Sequence, residues 1–530
     1  MRTLTKAPGA LLCVALLATA ACTSGQSDDQ RPTGTTLRVI ASSELADMRP
    51  LLDQMRKETG VELVIEHRGT IDATNSLTPG NYQHDIAWLS TDRYFDLKLI
   101  RSGYTGPRPI SNRFMVTPLA IGVKPRTAEA LRSSTADRHL SWADLADRAA
   151  MGMTRFGMAD PRHAGSGLSA LIGVATAAAD TGRALRPEDV TCDRLRGLFT
   201  GRTLNADTSA QLAEEFTAKQ DSADALINYE SVLLSMNASG KLREPLEILY
   251  PRDGLVLFDY PMLLLDPAKR EAYDKVIAWL TTDRAQQEIM ERTKRRPLDT
   301  RIPRDPRFRE LSTNTLYFPG QQEVIDKVLA EYGRPQSQKP AHVVFALDFS
   351  GSMAGSRIAA LRSTFAGLTG GDPSTVGKFV RFYKGERFTV LRFGGQVLDE
   401  RDFTISGQQD LDAIRDHIAV DGFDPSTGVW AALDRAYAKA AELTREHPDV
   451  PVTVVLMTDG ESNTGPALSE FLRRHDALPP AAKAVRTYAV RFGEANAAEL
   501  RRAAEATGGR MVDANATSLS QAFKEIRGCR

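Results

Sequence analysis

The period of the apolar residues changes along the chain. Leu37-Arg38-Val39-Ile40-Ala41 reads as a short strand stopped by Ser42-Ser43-Glu44, residues 46–59 have helical periodicity, and 61–66 is a second strand. The alternation recurs. Apolar runs at 85–89 and 118–123 read as strands, the first ending in Ser90-Thr91-Asp92, and the strand 155–159 leads through 160–167 into a helix over 168–179. Ser141-Trp142-Ala143-Asp144-Leu145 is the capped start of a short helix. Helical periodicity returns over 273–293. The stretch 292–309 is basic, broken by prolines and without period, which predicts a solvated linker or surface loop. A helix is predicted over 321–332, and 333–340 marks a boundary. Strands and helices alternating at this spacing predict parallel α/β units.

Beyond 340 the order is strand, helix (357–368), strand (388–393), helix (409–418), a loop at 422–430 and a long helix (431–445). A strand follows over 452–458, then a strand (487–492), a helix (497–507) and a last strand and helix ending near 526. This is the pattern of one doubly wound α/β domain. The runs ending at Asp348 and Asp459 are continuously apolar, as central parallel strands are. Asp348 is followed by Ser350 and Ser352 at alternate positions in a glycine-containing turn. At the carboxyl end of a parallel strand, where open α/β sheets place ligands, those oxygens can face one small hard cation.

Length and composition add bounds. With 530 residues, 42% of them hydrophobic, the chain is long enough for two to four cores. Lysine plus arginine equals aspartate plus glutamate at 67 each, so no basic excess points to nucleic acid. The N-terminus carries Arg2 and Lys6, an apolar segment at 10–18, and Thr19-Ala20-Ala21-Cys22 before a polar tract. That segment is shorter than the roughly 20 residues that span a bilayer, so it reads as an export signal. It resembles a bacterial lipoprotein signal peptide, with Thr19 where that motif more often has leucine. The resemblance implies removal of 1–21, a lipid on Cys22, a flexible tether over 22–36 and a location on the outer face of the bacterial cytoplasmic membrane. Of the four cysteines this leaves Cys192 and Cys529. An oxidising compartment permits a disulfide between them; the alternative is a half-buried Cys192 and a free terminal thiol.

Between 160 and 167 the chain reads Asp160-Pro161-Arg162-His163-Ala164-Gly165-Ser166-Gly167, ahead of a helix whose N-terminus favours an anion or polar acceptor. Ala164 and Leu168 stand where a G-x-S-x-G hydrolase elbow needs glycines. Taken with the strand end Ala41-Ser42-Ser43, with 85–90, Trp142-Ala143-Asp144-Leu145, Ile227-Asn228-Tyr229-Glu230-Ser231, 250–254 and Asp259-Tyr260-Pro261, this region resembles the bacterial extracytoplasmic solute-binding proteins of the molybdate and phosphate type. The resemblance covers 37–303 and implies two α/β lobes closing on a small polar solute, with Ser42, Ser43, Ser90, Ser166 and Tyr229 as pocket residues. Residues 304–339 then form a linker with a short helix.

From 340 to 530 the chain resembles the von Willebrand factor type A domain, a doubly wound Rossmann-like fold. Asp348, Ser350 and Ser352 match the D-x-S-x-S loop of its metal-ion-dependent adhesion site, Thr427 the threonine of the second loop and Asp459 the aspartate of the third. The resemblance implies Mg²⁺, with Mn²⁺ or Ca²⁺ able to replace it, and a protein partner that donates a carboxylate to the metal. Glu461 is expected behind the ligands or facing solvent. No histidine or lysine is placed nearby in sequence to act as a base, and the second aspartate of a D-x-D phosphotransfer motif is missing, so an enzyme is not expected. The expected function is recognition at the cell surface through the metal site, with a solute-binding module in front. The alternative is a solute receptor for a membrane importer whose C-terminal domain serves assembly.

Overall fold

The computed structural model describes residues 35–133, 135, 139–190, 195–311, 314–333 and 340–527. The signal segment, Cys22, Cys192 and Cys529 lie outside them. Among the described residues no helix is long and apolar enough to cross a membrane.

Three sheets organise the chain, with strands numbered along the sequence. The first lobe is built on β1 (Thr35–Ser42), β2 (Val61–Arg68), β3 (Ile86–Trp88), β4 (Ile110–Asn112) and β11 (Met262–Leu264), in the order β2-β1-β3-β11-β4. β1 is parallel to β2 and β3 and ends in four buried residues, because both of its edges are paired. The second lobe holds β5 (Met115–Val123), β6 (Phe156–Ala159), β7 (Arg202–Ala206), β8 (Ala225–Tyr229) and β10 (Leu257–Phe258), in the order β10-β5-β8-β6-β7. β9 (Glu247–Leu249) and β12 (Arg296–Pro297) also pair with β5. The chain crosses between the lobes three times, from β4 to β5, back from β10 to β11, and again between β11 and β12, which pairs with β5. The return crossing contains Tyr260, a buried non-glycine residue held at φ +46°.

The helical period read over 273–293 proves to be two helices, Arg270–Leu280 and Asp283–Thr293, because Thr282 caps the second by accepting from the Ala285 amide. The expectation that the basic stretch after them is a solvated surface holds at Arg292, Arg301, Arg304, Arg307 and Arg309, which are exposed, and is corrected at two residues. Arg295 and Arg296 are buried. Arg295 grips Asp47 through two 2.8 Å hydrogen bonds and lies over the Tyr260 ring, and Arg296 forks onto Glu230 at 2.6 and 2.8 Å. Paired in this way, two guanidinium groups tolerate an interior site.

The segment after them packs on the lobes instead of hanging free. The Leu316 amide donates to the Leu255 carbonyl at 2.8 Å. The helix Gln322–Gly333 then lies across both lobes, and its Ile325 is buried with Ile71 and Leu97 of the first lobe and Leu168 and Ile172 of the second. Polar contacts repeat that pattern: Arg101 of the first lobe pairs with Asp326, and Arg202 of the second donates to Tyr332.

The third sheet comprises β13 (His342–Asp348), β14 (Arg387–Phe393), β15 (Val397–Thr404), β16 (Val452–Thr458), β17 (Arg486–Arg491) and β18 (Arg510–Asp513), in the order β15-β14-β13-β16-β17-β18. All neighbours are parallel except β15, which runs antiparallel at the edge. Along β13 the side chains alternate between two cores, Val343, Phe345 and Leu347 on one face and Val344 and Ala346 on the other. Helices cover both faces, as continuous apolar strands require.

The second lobe docks against this domain through the helix Thr375–Val380 and the turn after it. Lys378 pairs with Asp144, Arg381 pairs with Asp147, and the Lys384 amide donates to the Ala150 carbonyl at 2.7 Å. Phe379 enters the core of the two lobes, while Met151 enters the core of the C-terminal domain. These contacts immediately precede β14, whose first residue is in register with His342. Lobe and linker therefore meet the sheet at its His342 end. Asp348 stands at the opposite edge, six residues on, about 20 Å away at 3.3 Å per residue.

Candidate functional site

At that far edge three loops converge. The β13 backbone continues into Phe349, whose amide donates to the Phe393 carbonyl at 2.6 Å, and the short 3-10 turn Gly351–Met353. The Gly351 amide donates to the Asp424 carbonyl at 2.7 Å and the Asp424 amide returns a bond to the Phe349 carbonyl at 3.1 Å, which joins the first loop to the second. The second is tied to the third in the same way: the Thr427 amide donates to Asn463 Oδ1, and the Asn463 amide donates to the Thr427 carbonyl, both at 2.9 Å. Backbone bonds thus fix the positions from which the side chains project.

All five residues expected for metal binding come together here. Asp348 is fully buried, its Oδ1 accepting from the Ser350 amide at 2.7 Å and its Oδ2 from the Thr458 hydroxyl at 2.5 Å. Ser350 Oγ is 3.0 Å from Ser352 Oγ, and Ser352 donates to Asp459 Oδ1 at 2.8 Å. A Cβ placed on Gly460 would lie 3.5 Å from both Ser352 Oγ and Thr427 Oγ1, so these hydroxyls face one small space across the third loop. Glu461 is exposed. Three residues at the site were not singled out from the sequence. Thr458 and Asn463 hold ligand groups in place, and Arg357, in the first turn of the helix Ser356–Ala366, donates to Asp459 Oδ2 at 2.6 Å.

The electrostatics suit a cation. Burial, aided by the facing Asp459, pushes Asp348 up to about 6 even though Thr458 and Ser350 donate to it. Two buried carboxylates surrounded by hydroxyl oxygens form an all-oxygen donor set that fits a hard divalent ion. Among the described residues no group of three or more His, Cys, Asp or Glu gathers to hold a metal, so this is a hydroxyl-rich centre with few charges.

The expected solute-pocket residues also assemble, in two places. Ser42 Oγ is 2.6 Å from Thr70 Oγ1, which is 2.8 Å from Ser90 Oγ, and the Tyr229 hydroxyl donates to Ser90 Oγ at 3.1 Å. Ser166 Oγ lies 2.6 Å from Ser209 Oγ. Thr70 and Ser209 are additions to the expected set. The cluster spans both lobes and is buried, and burial raises the Tyr229 hydroxyl far above its ordinary pKa. It is also tightly closed: a Cβ on Gly165, where the helix Gly165–Ala179 begins, would lie 2.8 Å from Ser90 Oγ. Ser43 stands apart from it. With Glu44 it lines a cavity of about 530 Å³ between the turn Ser43–Met48 of the first lobe and the helices Ser209–Ala218 and Glu230–Ala238 of the second.

Fold and sites together define an α/β protein with a two-lobed binding module followed by a doubly wound domain that carries an oxygen-rich centre at its strand ends. Family models agree: residues 37–292 match the bacterial extracellular solute-binding protein family, and residues 342–527 match the von Willebrand factor type A domain. The chain thus combines a solute-binding domain with a von Willebrand factor type A domain. Among solved structures it is similar to the periplasmic binding protein P5PA, at 16% identity and a TM-score of 0.43, over 56% of this chain and 99% of that one. It is likewise similar to the periplasmic binding protein AfuA from Actinobacillus pleuropneumoniae, at 14% identity and 0.43, over 57% and 98% of the two chains. Iron-bound HitA from Pseudomonas aeruginosa matches at 14% and 0.43, over 57% and 100%. A comparison with curated proteins finds no match.

Proposed function

We propose that this protein is a lipid-anchored binding protein of the bacterial cell envelope that grips a protein partner through a divalent cation held by Asp348, Ser350, Ser352, Thr427 and Asp459. The observation that carries the reading is the convergence of these five residues at the sheet edge opposite the docked solute module, where a partner has access. Mg²⁺ is the ion of choice for an oxygen set with so few carboxylates, and Mn²⁺ or Ca²⁺ can take its place. When bound, the ion offers an open coordination position to a carboxylate of the partner. Asp348 and Asp459 supply the charge that holds it, the three hydroxyls orient it, and the bonds from Thr458 and Asn463 keep the loops in register. The reading is of a binder and not an enzyme: the cation beside the carboxylates is Arg357, which is not a proton acceptor at neutral pH.

The lipid on Cys22 and the tether after it would place the molecule on the outer face of the cytoplasmic membrane, with the two-lobed module as a ligand sensor or second binding surface. The cavity between its lobes supports a small-solute role and leaves the importer-receptor reading as the second one. Capture of envelope proteins by the immobilised full chain, with Mg²⁺ and with a chelator, tests the first reading. Partner retention that persists in chelator, and in Asp348→Asn/Asp459→Asn, refutes it.

A further inference from the structure

We propose that the cavity between the two lobes takes a small organic cation, a primary ammonium or guanidinium compound, and that Glu44 is the group that recognises its charge. This rests on the solute-binding reading of the N-terminal module and adds the chemical class of its ligand. Glu44 lines the cavity, yet only 6% of its surface is exposed. Its Oε2 accepts from Ser43 Oγ at 3.3 Å, and its buried Oε1 has no partner among the described residues. The nearest cation does not serve it. Arg295 spends Nη1 on both oxygens of Asp47, and its Nη2 donates to the Glu44 backbone carbonyl at 3.0 Å, so Arg295 and Asp47 cancel each other. With Asp47 cancelled by Arg295, Glu44 and Glu214 still outnumber Lys241 among the charged residues lining the cavity, and an anion entering would meet that excess. A buried carboxylate with one oxygen lacking a donor is satisfied by protonation or by a cation, and a ligand N–H⁺ supplies the cation. Ala210, Ala213, Val232 and Met236 give the rest of the cavity an apolar wall suited to a short carbon chain.

The ionisation of Glu44 supplies a signature. Burial pushes its carboxyl up to about 7, in the company of Asp47, Arg295, Tyr229 and Tyr260. An alkylamine stays charged throughout this range, so its affinity should rise roughly tenfold between pH 6 and pH 8 as Glu44 ionises. The test uses the full chain in chelator, with n-butylamine and 1,4-diaminobutane as probes and 1,4-butanediol and succinate as the neutral and anionic counterparts, read by calorimetry and thermal shift. The amines are expected to bind and to raise the melting temperature, with that pH dependence, and Glu44→Gln is expected to lose at least about tenfold in affinity. Amine binding that is unchanged in Glu44→Gln and flat with pH overturns the assignment of Glu44. Binding of the diol or of succinate in preference to the amines overturns the cation class and leaves solute binding standing. Failure of all four probes overturns the inference together with the solute-binding reading beneath it.

Discussion

Replacing Glu44 by glutamine should stabilise the ligand-free protein at alkaline pH and leave it unchanged at acid pH. In the unfolded chain this carboxyl titrates at 4.5, whereas burial in the folded protein moves it to about 7. Between those values the unfolded state releases the proton and the folded state keeps it. Stability tied to Glu44 is therefore fully present below about 4.5, falls as pH rises through the interval, and is exhausted above about 7. A separation of this size corresponds to about 3 kcal/mol at 1.36 kcal/mol per pH unit. Glutamine has nearly the same shape and cannot ionise, so it escapes the loss. The assay is urea unfolding of both proteins in chelator at pH 5, 6.5 and 8, followed by tryptophan fluorescence. Trp88, Trp142 and Trp279, three of the four tryptophans, are in the solute module, so the signal reports mainly on it. Asp348 and Asp253, each pushed up to about 6 by burial, titrate in both proteins and cancel in the difference. Midpoints that stay parallel from pH 5 to pH 8 would refute the buried, unpartnered state of Glu44.

Other perturbations probe the rest of the molecule. Asp348→Asn and Asp459→Asn should each abolish calorimetric Mg²⁺ binding while circular dichroism stays native, since each removes half of the buried charge that holds the ion. Arg357→Gln should tighten Mg²⁺ binding by about 1 kcal/mol, or roughly fivefold, because a cation then no longer competes for Asp459. Lys378→Glu with Arg381→Glu sets like charges against Asp144 and Asp147 and should part the two domains, seen as a larger radius of gyration in small-angle scattering. The compensating Asp144→Lys and Asp147→Lys should restore the native radius.

The oxygen cluster at the strand ends was legible because its chemistry is written in short runs. Asp348, Ser350 and Ser352 are almost contiguous, and Asp459 ends an apolar strand as Asp348 does. Arg357 carried no such mark: it reads as one more basic residue on a helix, and only folding brings it to a carboxylate 102 residues away. Distance in sequence also hid the burial of Arg295 and Arg296, whose partners Asp47 and Glu230 are 248 and 66 residues off. An unmatched charge run is ordinarily solvated, and the sequence does not show which carboxylates will meet it. The edge strand β15 escaped notice for another reason. Its residues are largely half-exposed or exposed, so no apolar alternation betrays it. The hydroxyl cluster between the lobes was legible as a set of serines and a tyrosine, whereas Glu44, which follows Ser43 directly, passed as the polar end of a strand.

On the proposed solute-binding role, the helix Gln322–Gly333 bears on how long a ligand stays in the cleft. Lobes that part must strip Ile325 from at least one pair of its partners, Ile71 and Leu97 or Leu168 and Ile172. Fully exposing such a side chain costs about 2 kcal/mol, and losing one pair of partners about half of that. Placed on the opening step alone, that barrier lengthens ligand residence about fivefold without any contact to the ligand. In chain order the same helix is the last described element before β13, so the element that grips both lobes is also the one next in sequence to the C-terminal domain.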